Sequence, residues 1–228
     1  MEENRDLYTT KIAELKAELG KKADDQELWF ELGNAYWEEG KYTKAKAAYL
    51  KALEKGEVFA ELLGNLGAVL LELGEIEEAE EKLRACLSMA PSEYRVYQIN
   101  LANALFMRGE KDEAKELLRE ALRKANDQEE QYLLRYNLGL MELDTNPRKS
   151  VRHFTEATKL KATSEAYYEL ACALARIGKI SQSATSLKNA IEQDASLVNF
   201  AKNDPDLEKT VRHPSIIRLL KRELEDAQ

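Results

Sequence analysis

The chain is 228 residues long, 44% hydrophobic and 33% charged, with only 10 glycines and 4 prolines. It is too apolar for a disordered chain and too poor in turn residues for an all-β protein, which leaves a helical protein. Its net charge of −8 argues against nucleic acid, whose phosphates call for a basic face, and no apolar run approaches the length of a membrane span.

In chain order, "MEENRDLYTT" is acidic and polar and lacks a signal-peptide pattern, which points to a cytoplasmic protein with no membrane insertion. Over residues 4–19, Leu7, Tyr8, Ile12, Leu15 and Leu19 fall at helical spacing and Gly20 stops the run. This amphipathic helix, within residues 1–25, is expected to cap the segment that follows. Four later segments then align: "GKYTKAKAAYLKAL" (40–53), "GEIEEAEEKLRACL" (74–87), "GEKDEAKELLREAL" (109–122) and "GKISQSATSLKNAI" (178–191). Each opens on Gly, followed by small, apolar and small residues at fixed offsets, and another helical run precedes each one. Gly40, Gly74 and Gly109 are 34 and 35 residues apart, and the 69 residues from Gly109 to Gly178 leave room for one more unit.

This pattern resembles the tetratricopeptide repeat. The first unit carries Trp29, Leu32, Gly33, Tyr36, Gly40, Ala45, Tyr49 and Ala52 at the motif positions. The second carries Leu63, Leu66, Gly67, Leu70, Gly74, Ala79, Leu83, Cys86 and Pro91. The third carries Leu101, Ala102, Leu105, Gly109, Ala114 and Leu118, and the fifth carries Tyr167, Leu170, Ala171, Leu174, Gly178 and Leu187. The fourth is degenerate: "TNPRK" replaces its glycine turn and Arg135 occupies the aromatic slot. The resemblance implies an all-α, right-handed superhelical solenoid of about five helical hairpins. The units would be about 26–59, 60–94, 95–130, 131–163 and 164–195, with capping helices over 196–228. Asp204-Pro205 and His213-Pro214 mark two helix starts in that last segment. Small residues should let paired helices approach, Gly33 facing Ala45 and Gly67 facing Ala79. A lone hairpin cannot bury its own apolar face, so the hairpins must stack.

No HExxH, GxSxG or Cys/His metal spacing occurs, so neither an enzyme nor a cofactor nor a metal is expected. Cys86 and Cys172 read as buried, reduced thiols.

Helix geometry at about 100° per residue selects the positions that would face the groove of such an array. The first unit presents Glu27, Glu31, Asn34 and Glu38, and the second Glu61, Asn65, Ala68 and Glu72. The third presents Val96, Asn100, Asn103 and Met107, the fourth Leu133, Asn137, Leu140 and Asp144, and the fifth Glu165, Glu169, Cys172 and Arg176. Asn65, Asn100 and Asn137 share one register, with Asn34 and Asn103 beside them. An amide donates and accepts at once, which matches a peptide unit. The column resembles the asparagine ladder in the tetratricopeptide portions of O-linked N-acetylglucosamine transferase and kinesin light chain, which implies a grip on the main chain of an extended partner. Solvated amides, or amides bonded across to the next helix, are the other readings of the same residues. Glu27, Glu31, Glu38, Glu61 and Glu72 would favour a Lys/Arg-bearing protein or peptide.

The expected function is therefore an adaptor or scaffold that binds a partner segment. The alternative is a self-associating assembly module, the oligomeric state being open between monomer and homodimer. A clamp for a chaperone's carboxylate tail fits less well, because Phe30, Val96 and Asn100 stand where it needs Lys or Arg.

Overall fold

The computed structural model describes residues 2–89 and 95–226, with side chains described from Tyr8 to Leu220. Pro91 and the side chain of Leu7 lie outside the described residues. Fourteen α-helices and one 3₁₀ turn account for the ordered elements among the described residues. Helix α1 (Glu2–Leu19) precedes a series of paired helices: α2 (Gln26–Glu38) with α3 (Tyr42–Lys55), and α4 (Ala60–Glu72) with α5 (Ile76–Met89). Then come α6 (Arg95–Met107) and α7 (Lys111–Lys124), α8 (Gln128–Glu142) and α9 (Pro147–Leu160), and α10 (Ser164–Arg176) and α11 (Ile180–Gln193). Helices α12 (Leu197–Asn203), α13 (Glu208–Val211) and α14 (Pro214–Asp226) follow, with the 3₁₀ turn at Pro205–Leu207 between α12 and α13.

Four of the five hairpin turns are built alike. Gly40, Gly74, Gly109 and Gly178 have φ of 72°, 76°, 91° and 78°, a left-handed conformation that costs a side chain roughly 1–2 kcal/mol. Around Gly40 the chain reverses by donating from Lys41 N to Tyr36 O at 2.8 Å. The fourth turn uses different chemistry. Asn146 caps α9 by accepting from Lys149 N at 3.2 Å, and Pro147 occupies the first helical turn.

The chain divides into two compact units, Met1–Leu117 and Leu118–Gln228, with α7 crossing the boundary. In the first, Leu32, Tyr49, Leu66, Leu70, Leu83 and Leu105 are buried between paired and successive helices. Gly33 is closed by the ring of Tyr49, whose atoms lie 2.4 Å from where a Cβ would sit, so the neighbour that requires the glycine is Tyr49, not Ala45. Gly67 meets Leu83 at 2.6 Å, with the Ala79 carbonyl next at 3.3 Å. In the second unit, Phe154 packs beneath Gly139 and against Leu170 and Leu174. Its C-terminal segment folds onto α10 and α11: Val198, Leu207, Ile216 and Leu219 join Ala171, Leu187 and Ile191 in one buried cluster. Each such burial is worth roughly 1.5–3 kcal/mol, so this segment is an integral layer of the second unit.

Candidate functional site

Asn65 stands between Gly64 and Gly67 in the middle of α4, where neither residue type favours a helix. The first unit supplies the reason. A Cβ at Gly64 would lie 2.4 Å from the ring of Tyr97 on α6, so the glycine opens a slot for that ring. The Tyr97 hydroxyl then donates to Asn65 Oδ1 at 2.6 Å. Asn65 Nδ2 donates in turn to Asn34 Oδ1 on α2 at 3.0 Å, and the same oxygen accepts from the Tyr49 hydroxyl at 2.6 Å. Two bonded amides thus sit between two tyrosines, in a row that runs from α3 through α2 and α4 to α6. Burial pushes the Tyr49 phenol well above its usual range, so it remains a donor.

Asn34, Asn65 and Asn100 line one open pocket of about 390 Å³, with Glu38, Glu61, Tyr49 and Tyr97 on its walls. Among the described residues, Asn34 Nδ2 and both polar atoms of the Asn100 amide make no hydrogen bond. The pocket therefore offers Asn34 Nδ2, held in place by the bonds that Asn34 Oδ1 accepts, and the unengaged amide of Asn100. Val96, 53% exposed, and Ala68 add apolar surface.

Profiles of the tetratricopeptide repeat match residues 30–94, 70–137 and 164–197. The chain belongs to the tetratricopeptide repeat family. A thermophilic tetratricopeptide protein of Thermus thermophilus has a similar structure, with a TM-score of 0.64 at 22% identity over 85% of this chain and 99% of that one. PilF of Pseudomonas aeruginosa gives 0.66 at 20% identity, over 92% and 100%. A chain of the APC/C hetero-tetramer Cut9–Hcn1 gives 0.70 at 16% identity, covering 94% of this chain and 46% of that one. No curated protein matches the sequence.

Within this tetratricopeptide chain the other predicted site residues scatter. Glu27 and Glu72 are exposed and away from the pocket, and Met107 is 61% exposed. Glu31 lies 3.9 Å from Lys11 of α1, whereas Glu38 stays on the pocket wall and also accepts from Tyr8 of that helix at 3.4 Å. Asn103 is half-buried outside the pocket. Asn137 belongs to the second unit, where its Nδ2 donates to Leu133 O of its own helix at 2.8 Å. Tyr49 and Tyr97, which orient the amides, are not among the site residues expected from sequence, where Tyr49 is read only as a motif position of the first unit. The signal for Tyr97 was Gly64, a glycine at the position where other units carry Phe30, Ile99, Tyr136 or Tyr168.

The matching face of α10 in the second unit is occupied. Tyr168 donates to Asp204 Oδ2 at 2.8 Å, Arg176 Nε donates to Asp206 Oδ2 at 2.6 Å, and Cys172 Sγ lies 3.6 Å from Asp204. Burial first, then the charges of Asp204 and Asp206, push Glu169 up to about 7. The chain's own C-terminal segment thus covers Cys172 and Arg176 of the groove register together with the flanking Tyr168, while Glu165 stays exposed. Cys86 and Cys172 are buried free thiols, and burial pushes Cys86 up to about 11. No described helix is long and apolar enough to cross a membrane, and no described cluster of His, Cys, Asp and Glu could hold a metal ion.

Proposed function

We propose that this tetratricopeptide chain, built on a protein-interaction scaffold, binds an extended partner segment in the Asn34–Asn65–Asn100 pocket of the first unit. The observation that carries the reading is the division of labour among the amides. Asn65 is held at both ends, whereas the Asn100 amide and Asn34 Nδ2 stay unengaged at a pocket wall. A peptide unit needs one donor and one acceptor, and a half-buried amide supplies both at about 1 kcal/mol per bond. Such bonds read the main chain. Side-chain preference falls to Glu38 and Glu61, which select Lys or Arg on the partner segment.

Selection of random 12-residue peptides on the full chain, followed by calorimetry with the selected sequences, tests the proposal. The expected peptides carry Lys or Arg and bind Asn100→Ala more weakly by about 1–2 kcal/mol. Peptides that bind Asn100→Ala and Asn34→Ala as tightly as the native chain would remove the pocket from the account.

A further inference from the structure

The degenerate fourth hairpin holds a feature that the peptide pocket does not use. Arg135 stands where the first, second and fifth units place Trp29, Leu63 and Tyr167. It borders an open cavity of about 400 Å³ within the second unit. Arg119 and Arg123 of α7, and Lys149, Arg152 and His153 of α9, share its walls. Five cations around one cavity run against the net charge of −8. Arg119 is anchored, its Nη2 donating at 2.9 Å to Glu142, which is 2% exposed. Arg135, Lys149 and Arg152 form no ion pair among the described residues. His153 is 6% exposed, and its Nδ1 has no hydrogen-bond partner among the described residues.

Solvation alone accounts for Lys149 and Arg152, which are exposed. It does not account for a half-buried guanidinium held among other cations at a repeat position that is apolar or aromatic in the first, second and fifth units, nor for an orphaned ring nitrogen beside it. An oxyanion would supply charge to the first and an acceptor to the second.

We propose that this cavity binds a phosphate monoester dianion, carried by a phosphorylated side chain of a partner or by a soluble phosphate ester. Guanidinium forks match two phosphate oxygens at once, which a point charge cannot do. The volume admits the phosphate and the carbon group it is attached to. A compact cavity on an acidic chain suits a monoester better than a nucleic-acid backbone, which needs an extended basic track. The His153 ring with its proton on Nδ1 donates to one oxygen. The groups around it are Arg152 on its own helix, Arg135 and Glu142 on α8, and Arg119 on α7. Burial, then the arginines, hold its pKa down to about 4 against the pull of Glu142. A bound dianion reverses that field.

Calorimetry on the full chain at constant ionic strength tests the site with phenyl phosphate, with a short peptide bearing one phosphoserine, and with chloride as control. Saturable binding of phenyl phosphate is expected, weakened tenfold or more in Arg135→Leu and in Arg152→Gln with unchanged thermal melts. NMR of the His153 ring should show its pKa rising by one unit or more at saturation. A phosphopeptide that binds more tightly than phenyl phosphate assigns the site to a modified partner, and equal affinities assign it to a soluble ester. Phenyl phosphate heats matching chloride, binding unchanged in a folded Arg135→Leu variant, or tighter binding of a single-stranded oligonucleotide would each overturn the assignment.

Discussion

The first helices of the two units carry related surfaces with opposite fates. On α2, α4 and α6 the groove-register residues line an open pocket, and part of their hydrogen-bonding capacity is unused. On α10 the equivalent positions are taken by Asp204 and Asp206 of the chain's own C-terminal segment. Both faces began as half-buried polar positions on similar helices. What separates them is the sequence that follows: an apolar segment downstream of α11 buries Val198, Leu207 and Ile216 and brings two carboxylates with it. A polar face in a repeat protein is thus a binding surface only where no neighbouring segment has already claimed it.

Substitutions at the two faces should separate in size. Gly64→Ala is expected to cost the most, about 2–3 kcal/mol in denaturant unfolding, because its methyl must displace the Tyr97 ring. Asp204→Ala should follow at about 2 kcal/mol, since it removes the acceptor for Tyr168 and the cap on Asp206 N. Asn65→Ala should cost about 1–2 kcal/mol, while Asn100→Ala should stay within about 0.5 kcal/mol, because only the first amide is bonded within the fold. Equal losses at Asn65 and Asn100 would erase the distinction between a framing and a presenting amide.

A pH dependence separates the units further, and it belongs to the second one. Glu169 has its folded pKa raised to about 7, so between about 4.5 and 7 the native state holds a proton that the unfolded chain has lost. Its contribution is fully present below that window and is lost as pH rises through 7. Glu169→Gln should therefore gain about 1 kcal/mol relative to the native chain at pH 8, with no gain at pH 4. His153, with its folded pKa near 4, acts in the opposite direction: its contribution is present above about 6.5 and is lost as pH falls toward 4. Stability profiles of Glu169→Gln and His153→Asn that both stay parallel to the native profile would contradict this pairing of opposed groups.

Much of the fold was legible because the repeat states it several times over. The four left-handed glycines, the fully buried Ala45, Ala79 and Ala114, the cap at Asp204 and the helix start at Pro214 all follow from local rules that a sequence displays. The site was legible only in register. Helical periodicity brought Asn34, Asn65 and Asn100 to one face, but it could not show that Tyr97 would reach past Gly64 to fix Asn65. Nor could it show that Asn137 would turn to its own backbone. The basic cavity was legible only as an irregularity, Arg135 in the wrong slot.

The sequence by itself determined the helices, their pairing and the turns between them, because propensity, spacing and left-handed glycines act within a few residues. Only the tertiary structure decided which amides are spent and which remain available. That outcome depends on hydroxyls and carboxylates about 30 residues distant in the chain, and hydrogen-bond reach cannot be read from periodicity.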